Sequence, residues 1–288
     1  MTDPAPIHAP DLCAPELRAP ELRAPELRAL EERAMNAWPA LQTILHGGWV
    51  MRLSGGHTKR ANSVNALDPA TPFETLRAAA ERLYARQNLP AIFRLSPLAG
   101  PAIDQALADA GYTRSDPSLV LHAALPAMQP KPAIDPAIEI EIAPSPSAEW
   151  RTGSAEASNI PPHHRPIHDR MVAAIALPAA FATLRIPGHP AGRTNNHAQG
   201  RTNHRAIGFG LAVHERGAIG LFDIVINPPD RGHGHGRRLT TALLHWGHQV
   251  SAHTAYLQVT AANHPARTLY QSLGFQPAYP YHYRIRQP

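Results

Sequence analysis

Two stretches of this chain repeat one pattern. LPAIFRLSPLAGPAIDQALADAGYT and TAYLQVTAANHPARTLYQSLGFQ each run from a short apolar segment to residues spaced on one helical face, and then to a glycine followed by an aromatic ring. Aligned, they agree within one residue, which points to an ancient duplication. A chain that twice specifies strand, helix and glycine-closed turn is committed to an α/β architecture of two related halves. Its 288 residues are enough for two modest domains, each with a core of its own.

Other segments fill in the same order. In the first half, Trp49 to Leu53 reads as a strand closed by SGG, and Phe73 to Gln87 as a helix with Thr71 as N-cap and Pro72 as its first residue. Ala91 to Leu95 is a strand, and Ile103 to Ala110 a helix capped by Gly111. In the second half, Ile207 to Val213 and Ile219 to Ile226 are expected strands, followed by a helix over Arg237 to Val250 and a strand over Ala255 to Val259. A helix over Pro265 to Leu273, capped by Gly274, and a strand over Tyr279 to Ile285 complete it.

Biased segments mark the boundaries. The leader APELRAPELRAPELRAL has a proline every five residues, so residues 1–25 are expected to be a disordered tail. GRTNNHAQGRTNHR has almost no apolar residue and reads as a solvated loop, while QPKPAIDP reads as a linker. The expected division is a module over residues 26–130, a linker over 131–136 and a second domain over 137–288.

Charge excludes less than it suggests. The formal charge is +5 and the pI near 9.7, but Lys59 and Lys131 are the only lysines among 27 basic residues. With abundant Ala, Pro and His, this matches a compositional bias of the genome. Neither aromatic interleaving nor a recognition-helix pattern supports nucleic-acid binding. Cys13 is the single cysteine, so no intrachain disulfide forms. The N-terminus lacks the basic start and apolar stretch of a signal peptide. The most apolar segment, Met171 to Ala182, is twelve residues long and contains Pro178, short of the roughly 20 needed to span a bilayer. A cytoplasmic protein without a membrane partner is expected.

The chemistry is concentrated in NPPDRGHGHGRRLTTALLHW, which follows the apolar strand LFDIVI and opens a helix with Leu239, Ala242, Leu243, Trp246 and Val250 on one face. Gly232, Gly234 and Gly236 let backbone N–H groups turn inward, and the helix adds its own free N–H groups and positive dipole end, a combination that suits phosphate. A dinucleotide G-x-G-x-x-G would need glycine where Arg237 or Leu239 stands, and no Gly-Lys-Ser/Thr follows Gly236. A metal reading of His233 and His235 has no rigid scaffold among the glycines, and with neither a cysteine partner nor an H-x-x-x-H helix pair read for it, no metal is expected. The spacing that remains is R-x-x-G-x-G, from Arg231 through Gly234 and Gly236.

That pattern, together with NHPARTLYQSLGF downstream, resembles the GNAT superfamily of N-acetyltransferases, whose members carry Arg/Gln-x-x-Gly-x-Gly/Ala and then Asn-x-x-Ala-x-x-Leu-Tyr-x-x-x-Gly-Phe. The resemblance covers residues 137–288 in full. AWPAL and RANSV in the first half are similar to segments of tandem members, so a degenerate GNAT-like module is expected to precede a GNAT domain built on a mixed α+β sheet. The resemblance implies acetyl-coenzyme A as co-substrate, with its pantetheine along Ile224, Val225 and Ile226. Its pyrophosphate would lie on Arg231, Gly232, His233, Gly234, His235 and Gly236, with Arg237 and Arg238 adding charge-assisted bonds. Asn263 would hydrogen-bond the cofactor, and Tyr270 would protonate the leaving thiolate.

The superfamily often places a glutamate on the strand before the loop. Here Phe222 and Asp223 occupy it, and neighbouring strand residues face opposite sides. Asp223 is the candidate base, acting through a water, and His163 and His164 are candidates to line the acceptor side. The implied reaction is direct transfer to a small-molecule or peptide amine in a ternary complex, since no acyl-enzyme nucleophile is apparent. The alternative is a non-catalytic acyl-coenzyme A sensor or scaffold of the same fold. The sequence leaves a homodimer open.

Overall fold

The computed structural model describes residues 22–125, 138–187 and 204–287. The linker at 131–136, Cys13 and most of the GRTNNHAQGRTNHR segment lie outside the described residues.

Helix α1 (Ala24–Ala37) begins inside the last APELR unit, with Pro25 in its first turn, where a missing N–H is harmless. A hairpin of β1 (Gln42–His46) and β2 (Trp49–Leu53) leads through a loop to β3 (Val64–Ala66). Then come α2 (Phe73–Arg86), β4 (Ala91–Leu95), α3 (Pro101–Asp109) and β5 (Thr113–Ala124). Pro72 has extended backbone (ψ 129°), so α2 starts at Phe73, one residue later than the expected cap at Thr71 allowed. The second half runs β6 (Glu139–Ala143), α4 (Ala148–Ala157), α5 (Arg165–Ala173), β7 (Ala179–Pro187), β8 (His204–Glu215) and β9 (Ala218–Ile226). It closes with α6 (His235–Gln249), β10 (Thr254–Thr260), α7 (His264–Gln271) and β11 (Gln276–Arg286). The Met171 to Ala182 segment is the end of α5 and the start of β7.

All strands join one 11-stranded sheet in the order β1-β2-β3-β4-β11-β5-β10-β9-β8-β7-β6. Only β3 with β4 and β9 with β10 pair in parallel. The centre of this order crosses the halves: β11 lies between β4 and β5, and β5 lies between β11 and β10, all antiparallel. Each half thus gives its last strand to the other, and a pseudo-twofold relates the two. The repeated motif obeys it closely. Gly111 (φ +81°) and Gly274 (φ +88°) end their helices in the left-handed region, and the aromatics after them reach back five residues. Tyr112 N–H donates to the Leu107 carbonyl and Phe275 N–H to the Tyr270 carbonyl, both at 3.0 Å.

Helices α6 and α7 cover one face of the second half, where Leu239, Leu243, Leu244, Tyr270 and Phe275 pack on β-strand residues such as Leu221 and Leu257. Helices α1, α4 and α5 cover the other face, where Trp38, Trp150 and Met171 pack with strand residues such as Phe222. A third core in the first half holds Leu76, Tyr84, Phe93 and Leu107. Along β11, Tyr279, Tyr281 and Tyr283 pack with Leu27 of α1 and Val120 of β5. Among the described residues no helix is long and apolar enough to cross a membrane.

Exchange of β5 and β11 is expected to make the two halves unfold as one cooperative unit. Tyr283→Ala is expected to destabilise the chain by about 3–5 kcal/mol, the range for truncating a buried aromatic. Urea unfolding should remain one transition, with Trp49 in the first half and Trp150 in the second reporting the same shift in midpoint. Two separated midpoints would show that the halves unfold independently.

Candidate active site

The site begins where β9 and β10 part. Their parallel pairing runs from Ala218 with Thr254 to Leu221 with Leu257 and stops there. Beyond it, β9 stays paired with β8 and β10 with β5. The sheet therefore opens as a wedge along Phe222–Ile226, which includes Ile224, Val225 and Ile226.

A bulge sits at the mouth of the wedge. On β8, Phe209 faces Val225 and Leu211 faces Phe222, so Asp223 and Ile224 together oppose the single residue Gly210. Asp223 takes φ +48°, a left-handed conformation that Asp tolerates better than most side chains. The bulge overturns the expectation from simple strand alternation. Phe222 stacks on Trp38, with ring centroids 6.1 Å apart, and Asp223 reaches the same layer, its Oδ2 lying 3.2 Å from His168 Nε2.

His168 projects from α5 and is fully buried. Its ring lies parallel to Trp150 at 6.3 Å, tilted on Trp38 at 5.9 Å and edge-on to His57 at 5.5 Å. His57 comes from the first half, on the loop after β2. Asn62, within the RANSV segment, shapes that loop: its Oδ1 accepts from Ser54 N–H at 2.7 Å and Gly56 N–H at 2.9 Å, while its Nδ2 donates to the His57 carbonyl at 2.7 Å. The Arg60 guanidinium lies over Trp38 at 5.4 Å and over Phe222 at 5.6 Å.

The glycine loop lies at the end of β9. Gly232 (φ +83°) and Gly234 (φ +77°) take left-handed backbone, and a side chain at either would meet no atom within 4 Å. Gly236 differs: it is already helical in α6, and a Cβ there would lie 3.4 Å from Leu269 Cδ2. Its smallness brings α7 close, whereas the turn belongs to the other two glycines.

The loop is tied down from beneath. Arg231 Nε donates to the Ile226 carbonyl at 3.0 Å, and buried Asp230 is held by Arg205 through two bonds of 2.5 and 2.9 Å. His233 Nδ1 lies 3.4 Å from the Asp230 carbonyl. His235 opens α6, and Arg237 donates to Ser272 Oγ, linking α6 to the end of α7. Asn263 caps α7, its Oδ1 accepting from Ala266 N–H at 3.2 Å.

Tyr270 is buried on α7, next to Leu269, with its ring 5.8 Å from Phe275. Burial pushes its phenol up to about 12. Its counterpart under the pseudo-twofold is Leu107, which carries no proton to give. Among the described residues, no group of three or more His, Cys, Asp or Glu is placed to hold a metal ion.

A family model described as "Probable histone acetyltransferase Rv0428c C-terminal" matches residues 24–286. The chain belongs to this family. The match spans both halves, so family membership extends well beyond the 137–288 segment that carries the motifs. It is also 27% identical over 257 residues to a Bacillus subtilis (strain 168) protein described as "Uncharacterized N-acetyltransferase YobR", covering 87% of this chain and 95% of that one. Among solved structures, a GCN5-related N-acetyltransferase from Kribbella flavida superposes with a TM-score of 0.63 at 14% identity, covering 91% of this chain and 95% of that one. A tandem GNAT protein from the clavulanic acid biosynthesis pathway gives 0.59 at 13% identity, covering 90% and 87%. The fold is the mixed α/β fold of the GNAT superfamily, in a tandem arrangement with a degenerate first half, and the general chemistry of that superfamily is acetyl transfer.

Within this GNAT fold, His57, His168, Trp38 and Arg60 escaped the reading of the sequence. His164 and His168 have the H-x-x-x-H spacing that would have flagged one helical face, but the contribution of His57 from the other half has no sequence signature.

Burial and the nearby His168 and His164 rings hold the His57 imidazole down to about 4. Since the unfolded value is near 6.5, the unfolded chain binds the extra proton between pH 6.5 and 4. The stability linked to His57 is therefore present above pH 6.5 and is lost as pH falls through that window. The urea midpoint of the parent should drop across it, and His57→Leu should flatten the drop. An equal slope in both proteins would mean that His57 protonates freely in the native state.

Proposed function

We propose that this chain moves the acetyl group of acetyl-coenzyme A onto a primary amine by direct attack in a ternary complex, with the chemistry carried by residues 137–288. In this division residues 26–130 form the module that shapes the acceptor side. The observation that carries the reading is the loss of pairing beyond Leu221 and Leu257, between a glycine loop at one end and Asp223 at the other. When bound, acetyl-coenzyme A supplies a thioester acyl group and a thiol leaving group.

The residues fit that co-substrate. Gly232 and Gly234 open the loop, α6 starts directly after it with the positive end of its dipole toward the loop, and Arg231 and Arg237 stand beside them to meet a pyrophosphate. His233 and His235 contribute backbone rather than ring chemistry here. Ile224, Val225 and Ile226 offer main-chain groups to a pantetheine arm while their side chains stay apolar. Asn263, engaged as the cap of α7, serves by fixing the start of the helix that carries Tyr270.

Asp223 is the assigned base. The bulge turns it out of the ladder, and His168 holds its carboxylate in one orientation. Tyr270 is the assigned acid: burial keeps its phenol protonated at neutral pH, ready to donate to a departing thiolate. The acceptor class remains a small or peptide amine; the family description, which names histones, makes a lysine-bearing peptide one sensible member of the first screen.

Saturating acetyl-coenzyme A, at about 100 times its Kd, should stabilise the parent by roughly 2.7 kcal/mol, read as a rise in Tm. Arg231→Ala should reduce this shift and Gly234→Asp should abolish it. Absence of any shift in the parent would defeat the reading. In an amine screen with detection of free thiol, Tyr270→Phe and Asp223→Asn should each lower kcat by about 10²–10⁴ with the co-substrate shift retained. Unchanged turnover in either variant would remove that residue from its role.

A further inference from the structure

Beside the assigned base lies a feature that the transfer reaction alone does not explain. Four histidine rings run in sequence from the surface to Asp223. Exposed His163 lies 4.2 Å from His164 between ring centroids, His164 lies 5.5 Å from His57, and His57 lies 5.5 Å from His168. His168 Nε2 then meets Asp223 Oδ2 at 3.2 Å. His164 Nδ1, His57 Nε2 and His168 Nδ1 make no hydrogen bond as the rings stand, so transfer along the row needs ring rotations that bring one nitrogen to the next.

The nitrogens are disposed for this use. His164 Nδ1, His57 Nε2 and His168 Nδ1 are buried, and no protein group bonds to any of them. Buried ring nitrogens are normally satisfied, and here three unbonded ones fall on three consecutive rings. With Asp223 as a carboxylate, the bond at 3.2 Å requires the proton on His168 Nε2, which leaves Nδ1 as the acceptor turned toward the rest of the row.

The walls are largely aromatic. Trp38 and Trp150 flank His168, and Phe222 and the Arg60 guanidinium close the side toward β9. The charged groups that face the row are Asp223 and Asp169 at the His168 end and Arg60 from the first half; Asp169 Oδ1 is 3.8 Å from His168 Nδ1, too far for a hydrogen bond.

We propose that His168 is the positioning residue for Asp223, and that His57, His164 and His163 continue from it as a proton path to the surface. This inference rests on the acetyl-transfer reading for its purpose but not for its existence. An amine arrives at neutral pH as R–NH₃⁺ and leaves as an amide with one hydrogen on nitrogen. The C–N bond forms, the C–S bond breaks, and the thiolate takes one of the two lost protons from Tyr270, which is then replenished from the attacking nitrogen. The other goes to Asp223, so one proton per turnover must reach solvent from a carboxylate that is 17% exposed and faces the bound amine.

The histidine row supplies that exit by exchange of protons between ring nitrogens. Burial, with the neighbouring rings, keeps His57 neutral between transfers, so the row conducts without trapping charge. It also gives the first half a definite task, because His57 is the link that α5 cannot provide.

The path can be tested on the full-length protein without knowing the acceptor. In ¹⁵N-histidine-labelled protein, NMR reads the solvent exchange rate of the His168 Nε2–H. In the parent this proton should exchange measurably despite full burial, and His57→Leu should slow it at least ten-fold. An unchanged or faster rate in a folded His57→Leu protein overturns the proposal, because packing alone predicts no slowing. Should His57→Leu fail to fold, His164→Asn, at a partly exposed ring, carries the same expectation and the same power to refute.

Thermal shift with acetyl-coenzyme A separates the two readings. Slowed exchange without a co-substrate shift would leave the path standing and sink the transferase reading. A co-substrate shift with unchanged exchange would sink the path alone.

Discussion

The antiparallel pairing of β5 with β11 is the constraint on which the rest of the molecule depends. Neither strand lies beside the sheet of its own half alone: β11 is held by β4 and β5, and β5 by β11 and β10. Because edge groups of each half are satisfied by the other, the sheet is continuous and its interior carries a seam of buried side chains. The Arg94 guanidinium pairs with Glu31, whose other oxygen accepts from Tyr279 O–H at 2.6 Å, so β4, α1 and β11 meet in one buried cluster. Breaking one partner of such a buried pair leaves an uncompensated charge, which is far more damaging than losing a surface pair.

That seam also determines where α1 lies, and α1 is what brings the first half to the site. Buried Arg52 donates to the carbonyls of Met35, Trp38 and Arg60, fixing the end of α1 against the loop that carries His57. Burial and the neighbouring Arg94 and Arg60 lower its pKa to about 10, still charged at neutral pH, so the three carbonyls act on a full cation. Trp38, held by this contact and by its own bond from Nε1 to Thr58 Oγ1 at 3.2 Å, then forms the wall shared by Phe222 and His168. A chain of contacts thus leads from the exchanged strands to the orientation of one carboxylate.

Duplication followed by divergence accounts for the asymmetry between the halves. Both keep the parallel strand pair and the glycine-closed helix, because these are packing solutions that either half needs. The first half has Leu107 where the second has Tyr270, and it has no glycine loop before α2. What the first half adds is contact: His57 meets His168 and Arg60 lies over Phe222, beside Asp223.

Local pattern alone determined the strands from Trp49 to Leu53 and Ala91 to Leu95, both amphipathic helices after them, and every element from β8 to β11, because apolar periodicity and left-handed glycines act over a few residues. It also determined the glycine loop and the position of Tyr270, which lie within short contiguous motifs. Helix α1, the short β1, β3 and β6, and the α4–α5 pair were not legible: the helices have apolar faces interrupted by charges, and the strands are only three to five residues long and make sense only against the sheet. Tertiary structure decided the rest: the exchange of β5 and β11, the bulge that sends Asp223 to the same layer as Phe222, and the meeting of His57 with His168. Each depends on contacts between residues far apart in the chain, and a hydrogen bond or ring contact formed at that range leaves no periodicity in the sequence for a reader to find.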